Sequence, residues 1–300
     1  MTIAFFTEMG FTGKILRDHP NMRTEFAWMC ALNATHYPIN SVHRISYETK
    51  IDLGIVIIPK KNPDFNLDSI KSICDKVAVM QEGPHWYFQD YDLEKQINYY
   101  NTLTSADIIF VHNKADKIYY KGLTNHKDIR VMKSLMIEEA IGEVAKVNRK
   151  GVIIGGNFVN WYGGFDSYMV ANSQFDTVSA PTMGRKQEGE EQLLTLLPYM
   201  NWKEWIHKLN EFKIGVHLMR THAAGTFALN CAYLGIPCIG YKGLDTQELC
   251  HPELTVNVGD LGHAKELIKE LNNSNEFYNE CSKQAKDYYN IYYHENNFKI

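Results

Sequence analysis

The chain has 300 residues, 45% of them hydrophobic and 22% charged, with a formal net charge of −4. These are globular values, with length for two domains of ordinary size or one large one. The mild acidity argues against a nucleic-acid binder, which carries a strongly basic face, and no apolar run reaches the roughly 18 residues of a membrane-spanning helix.

Met1 to Glu8 lacks a basic leader and a cleavage site and reads as a strand, not a signal peptide. The six cysteines are scattered and form no Cys-x-x-Cys pair, which predicts free thiols in a reducing, cytoplasmic compartment. The twelve histidines show no His-x-x-x-His spacing, so no structural zinc is expected.

In chain order, Ile3–Thr7 is a first buried strand. The loop Glu8–Lys14 follows, where Gly10 and Gly13 permit close backbone approach and Lys14 offers a charge; it lacks the length and the Ser/Thr of a P-loop. Asp18 to about Ala34 is predicted as a helix, with Phe26, Met29, Cys30 and Asn33 on one stripe. Strands are expected at Val42–Ser46, Leu53–Ile58 and Lys76–Met80, with a short helix at Leu67–Cys74. The loop Gln81–Asp90 then gathers two acids, His85 and three aromatics at the end of a strand, the make-up of a ligand crevice. Leu93–Leu103 and Lys114–Leu123 read as helices, and Ala106–Asn113 and Ile129–Met132 as strands. Residues 133–150 read as a linker.

A second α/β unit begins with the strand Gly151–Asn157, which ends in glycines, and the turn and helix Gly163–Ala171. Thr177–Ala180 and Leu193–Leu197 are expected strands, with a polar loop, Pro181–Glu191, between them and the helix Trp202–Leu209 after them. Ile214–Leu218 has the length of a buried strand. A polar glycine-containing loop follows, then a helix Phe227–Leu234 stopped by Gly235 and Pro237, then a strand from Cys238 to Gly240. A helix N-terminus in that position offers free N–H groups and a partial positive charge, which suits phosphate. Thr255–Val258 is a further strand, followed by helices Gly259–Leu271 and Asn275–Tyr288 and an aromatic tail.

The stretch 214–240 resembles the donor-binding segment of GT-B glycosyltransferases, in particular the retaining, group 1, family 4-like donor domain. That family reads roughly Glu-x-Phe-Gly, four residues, then Glu-Ala-x-Ala-x-Gly-x-Pro. Gly225 falls on the first glycine, and Ala232, Gly235 and Pro237 on the second half, while His222 and Asn230 stand where the glutamates would be. The likeness extends over most of 151–298, mainly by element order. Where the family opens its donor domain with Gly-Arg and then Lys-Gly, this chain has Asn157 for the arginine and Trp161 or Tyr162 for the lysine.

The resemblance implies an α/β fold of two Rossmann-like domains facing across a cleft. Residues 1–150 would form the acceptor-side domain and 151–283 the nucleotide-sugar donor domain, with 284–300 packing back on the first. It implies a metal-independent, hexosyltransferase-like enzyme without a cofactor, whose partners are a nucleotide diphosphate sugar and a glycan or small-molecule acceptor. Gly10, Gly13 and Lys14 would face the cleft. Arg220, with Lys242 or Arg185 as second choices, would neutralise the diphosphate beside Gly225 and Thr226. Asn157 and His222 would lie along the donor, Tyr199 near the base and Glu248 on the ribose. His85 would be the general base if the reaction inverts, or a sugar contact if it retains. The missing basic and acidic positions keep two other readings open, a non-catalytic nucleotide-sugar or glycan binder of the same fold and a sugar-nucleotide epimerase. A dehydrogenase is the weakest reading, because no Gly-x-Gly-x-x-Gly follows a strand.

Overall fold

The structure is a computed structural model that describes every residue except 47, 48, 61–64, 82, 160, 161, 183 and 185. The first half of the chain runs β1 (Ile3–Thr7), α1 (Glu25–Ala31), β2 (Thr35–Pro38), β3 (Ile51–Ile58), α2 (Leu67–Lys71), β4 (Cys74–Gln81), α3 (Leu93–Ser105), β5 (Ile108–Val111), α4 (Lys114–Thr124), β6 (Ile129–Val131) and α5 (Glu138–Ile141). The second runs β7 (Val152–Ile154), α6 (Gly164–Ala171), β8 (Val178–Pro181), β9 (Thr195–Leu197), α7 (Trp202–Leu209), β10 (Ile214–His217), α8 (Thr226–Leu234), β11 (Cys238–Tyr241), α9 (Asp245–Cys250), β12 (Thr255–Val256), α10 (Leu261–Asn273) and α11 (Asn275–Tyr292).

Each half builds one six-stranded parallel sheet, ordered β2-β1-β3-β4-β5-β6 and β12-β11-β10-β7-β8-β9. The second is the doubly wound dinucleotide-binding order, which reverses between β7 and β10; the first reverses between β1 and β3. Ligands of open parallel sheets bind in the crevice beyond such reversals, at the carboxyl ends of the strands.

Side-chain alternation divides the core. Ala4, Phe6, Val56, Ile58, Val77, Val79, Ile109 and Val111 pack beneath Leu103 and Tyr120 on one face of the first sheet. Phe5, Ile55, Ile57, Ala78, Met80 and Phe110 face the other way, into a cluster that continues through α1, residues 132–141, α7 and α8 as far as Tyr289 and Tyr293. The two halves therefore share this cluster, while the opposite face of the second sheet closes on a separate one with Val152, Ile154, Val216 and Ile239.

Two expected elements differ. Val42–Ser46 is not a strand: Ile39–Arg44 is a 3-10 helix, and the strand beside β1 is Thr35–Pro38. Ile39 and Val42, three residues apart, are both buried, which one face of a 3-10 turn achieves. The helix expected from Asp18 begins only at Glu25. Pro20 biases His19 away from helical backbone. The segment instead lends its polar groups to α7, where Pro20 O accepts from Lys203 N at 2.9 Å and Asn21 Oδ1 from Trp202 N at 3.1 Å. Those are two of the N–H groups that a helix start leaves unpaired.

Candidate functional site

A cavity of about 720 Å³ lies where the reversals of the two sheets face each other. The first half lines it with Met9 beyond β1, with Asn21, Arg23 and Thr24 ahead of α1, with Lys60 beyond β3, and with Gly83, Pro84 and Tyr87 beyond β4. From the second half come Gly155 beyond β7, Tyr162, His217 at the end of β10, and the approach to α8 from Met219 to Phe227.

The fixed wall is α8. Apart from Asn230 it is largely apolar, and it is buried from Phe227 to Leu234, as a helix at the centre of a fold must be. Gly225 caps it in the left-handed region (φ 64°, ψ 29°), and among the described residues no side chain caps its first turn. The three carbonyls before the helix are each held by a different side chain. Asn113 Nδ2 donates to Ala223 O at 2.9 Å, Ser134 Oγ to Ala224 O at 2.7 Å, and Thr246 Oγ1 to Gly225 O at 2.9 Å. A Cβ on Gly225 would come 2.0 Å from Thr246 Oγ1, so only glycine fits.

The other end of α8 is neutralised. Arg149 donates to Leu234 O at 2.6 Å and Gly235 O at 3.0 Å, Lys286 to Tyr233 O at 2.5 Å, and Ser282 to Gly235 O at 2.6 Å. Burial lowers the Lys286 pKa. Two cations thus meet the negative end of the dipole, leaving the positive end facing the cavity at Gly225, Thr226 and Phe227.

His217 stands beside that positive end, stacked edgewise on Phe227 with ring centroids 5.2 Å apart. Burial pushes its pKa down to about 4, so the ring is neutral near pH 7. Its Nδ1 is buried without a hydrogen bond. A Cβ on Gly155 would meet the His217 ring at 2.5 Å, which accounts for the glycine at the end of β7.

Of the residues singled out in the sequence for the donor, Gly225 and Thr226 line the cavity. Others are engaged elsewhere or exposed. Lys14 donates to Asn33 Oδ1 at 2.8 Å, Gly10 is exposed, and Gly13 forms a bridge with His36. Asn157 is buried and donates to Glu190 Oε1 at 3.2 Å. Tyr199 and Lys242 are exposed, and Glu248 accepts from Gly243 N at 2.7 Å. Arg220 is 64% exposed and pairs with Asp166 Oδ2 at 2.9 Å, outside the cavity lining. Trp161 and Arg185 lie outside the described residues. The basic side chains on the cavity wall are instead Arg23 and Lys60. Arg23 has no ion pair among the described residues.

His85 and His222 do come together, behind the cavity rim rather than on its wall. Both rings turn to the buried Asp116, whose Oδ1 lies 3.2 Å from His85 Nδ1 and 3.5 Å from His222 Nδ1. Burial opposes the charge on Asp116, but His222, His85 and the Asn113 amide outweigh it and hold the carboxyl well below the usual range. Asp116 in turn raises the pKa of His222.

No protein-family model and no curated protein matches the sequence. Solved structures match in shape. Sucrose-phosphate synthase from Thermosynechococcus elongatus superposes with a TM-score of 0.65 at 10% identity, over 98% of this chain and 95% of that one. HepE from Anabaena in complex with UDP gives 0.64 at 9%, over 98% and 96%. TarM from S. aureus, in complex with fondaparinux, alpha-GlcNAc-glycerol and UDP, gives 0.64 at 9%, over 85% of this chain; the chain spans 56% of that enzyme's length. The chain has the GT-B glycosyltransferase fold, two Rossmann-like domains across a cleft. Among the described residues no helix is long and apolar enough to cross a membrane.

Proposed function

We propose that this protein transfers a sugar from a nucleotide diphosphate sugar to an acceptor, with the diphosphate seated against the N-terminus of α8. The observation that carries the reading is the uncapped, fixed start of that helix on the wall of a cavity between two sheet reversals. In such a transfer the bond from the anomeric carbon to the diphosphate oxygen breaks and its electron pair leaves with the diphosphate. A bond to the acceptor oxygen forms and the acceptor proton is released. Charge therefore accumulates on the phosphate oxygens. A preorganised N–H donor is worth about 3 kcal/mol to such a charge, against about 1 kcal/mol for the helix dipole. Placing the first-turn N–H groups matters more than the dipole, and the three pinned carbonyls do the placing. Arg23 on the facing wall, which also carries Lys60 and Glu25, would add positive charge without a metal ion. His85 stays off the cavity wall, and no acceptor proton passes through it.

The test is calorimetric titration with UDP, GDP and ADP and their glucose conjugates, NAD serving as control. UDP comes first because HepE and TarM carry it in their structures. Binding of one nucleotide diphosphate, with donor consumed only when an acceptor is present, is expected. No binding by any of them at millimolar concentration overturns the reading.

A second reading, binding without turnover, is favoured by one observation. Asn157, in the place of the family's arginine, is buried and committed to Glu190. Nucleotide binding with the donor left intact across a panel of sugar acceptors would select it.

A further inference from the structure

His85, Asp116 and His222 belong to three separate elements. His85 opens the short 3-10 helix beyond β4, Asp116 sits in the first turn of α4, and His222 lies in the loop between β10 and α8. One ligand-type atom from each lies within 4.8 Å of the others. A tetrahedral ion with bonds of about 2.0–2.2 Å sets its donors roughly 3.3–3.5 Å apart. The two distances from Asp116 Oδ1, 3.2 Å to His85 Nδ1, with which it shares a hydrogen bond, and 3.5 Å to His222 Nδ1, lie close to that spacing.

The surroundings hold these atoms in place. Asp116 Oδ2 accepts from the Asn113 backbone N–H at 3.1 Å and from its Nδ2 at 2.9 Å, which turns Oδ1 toward the two rings. The His85 ring packs on Tyr119 with centroids 4.1 Å apart. The far nitrogen of His222 abuts Gly243, where a Cβ would come 2.1 Å from Nε2. His222 Nδ1 is itself buried without a hydrogen bond. Orienting contacts of this kind normally stand behind metal ligands, and a buried imidazole nitrogen that faces a carboxylate oxygen at 3.5 Å without a hydrogen bond is what a cation between them would satisfy.

We propose that His85, Asp116 and His222 bind a divalent transition-metal ion of the zinc type, which ties the first half of the chain to the loop that leads into α8. Two imidazole nitrogens and one carboxylate oxygen suit zinc and cobalt rather than magnesium or calcium, and three protein ligands leave a fourth position for water. The site stands whether or not the cavity transfers sugar, because its readout is the metal itself.

The experiment uses the full chain stripped with a chelator. Cobalt(II) is titrated while visible absorption is followed, and zinc stoichiometry is measured by equilibrium dialysis. One ion per chain is expected, with the intense visible bands of a four-coordinate cobalt centre and a higher Tm on adding zinc. Asp116→Asn and His222→Gln should each weaken zinc binding roughly tenfold or more, while His263→Gln, on the exposed face of α10, should not. Wild-type protein that binds neither ion stoichiometrically at micromolar concentration overturns the proposal, whatever the variants do. So does one-to-one binding that survives in a folded His85→Ala/His222→Ala double variant.

Discussion

Asn113 and Ala223 are joined across the seam between the two halves of the chain, Nδ2 to carbonyl at 2.9 Å, while Asn113 Oδ1 accepts from the Asp245 backbone N–H at 2.9 Å. One amide thus fixes both the loop before α8 and the start of α9. Asn113→Ala would leave a carbonyl and an N–H without their partners. It should cost about 1–3 kcal/mol of stability, read by urea denaturation, and should weaken UDP binding because the first turn of α8 is no longer held. Unchanged affinity in a destabilised variant would separate the clamp from the site.

Gly225 carries a second expectation. In the left-handed region, with Thr246 Oγ1 where a Cβ would sit, Gly225→Ala should destabilise the fold by about 1–3 kcal/mol. The double variant Gly225→Ala/Thr246→Ser should recover nothing, since the hydroxyl remains. Thr246→Ala, which relieves the clash, should recover part of the loss even though it gives up the bond to Gly225 O. Denaturation midpoints of the four proteins check this.

Two arginines distinguish the cavity from its surroundings. Arg23 is on the cavity wall and Arg220 pairs with Asp166 outside it. Arg23→Ala is expected to weaken nucleotide diphosphate binding by about 1.5–3 kcal/mol, the scale of a charge-assisted hydrogen bond. Arg220→Ala should change it by less than about 1 kcal/mol, as for an exposed ion pair. The opposite order in a calorimetric titration would move the diphosphate toward Arg220.

Acid should unfold the protein by way of two histidines. Burial holds His217 and His251 down to about 4, and both are neutral in the fold. An unfolded histidine titrates near 6.5, so between pH 6.5 and 4 the unfolded chain takes up protons that the folded chain refuses. Stability therefore falls as pH drops through this window, by about 2 kcal/mol per histidine at pH 5. Denaturation at pH 7 and pH 5 measures these together with His36, also lowered by burial, and His222, raised by Asp116 and of opposite sign, and His217→Asn should recover about 2 kcal/mol of the loss. An equal slope in the variant would assign the acid sensitivity elsewhere.

Much of the fold was legible because its signals are local. The apolar run at Ile214–Leu218, the glycine before Thr226 and the Gly235-Ile-Pro237 stop lie within one stretch, and that stretch became β10, α8 and β11 as expected. Val42–Ser46 was misleading because a few apolar residues fit a strand or one face of a tight turn equally well, and packing chose the turn. The support of α8 was not legible at all. Asn113, Ser134 and Thr246 at one end and Arg149, Ser282 and Lys286 at the other are ordinary polar residues far apart in sequence, and only the fold brings them to one helix. The same holds for His85, Asp116 and His222, which no spacing rule joins. Arg23 was hidden inside a segment read as helix.

The shared core also orders events during synthesis. Among the described residues one face of the first sheet is covered by residues between Ala4 and Val131, so it can close as soon as that length has emerged from the ribosome. The other face is completed by α8, Tyr289 and Tyr293. Until those residues are made, Phe5, Ile55 and Phe110 lack part of their cover, and the nascent chain presents an apolar sheet face through the translation of its whole second half. A chaperone that recognises exposed apolar strands would find its binding window there, and it would close when the last helix docks.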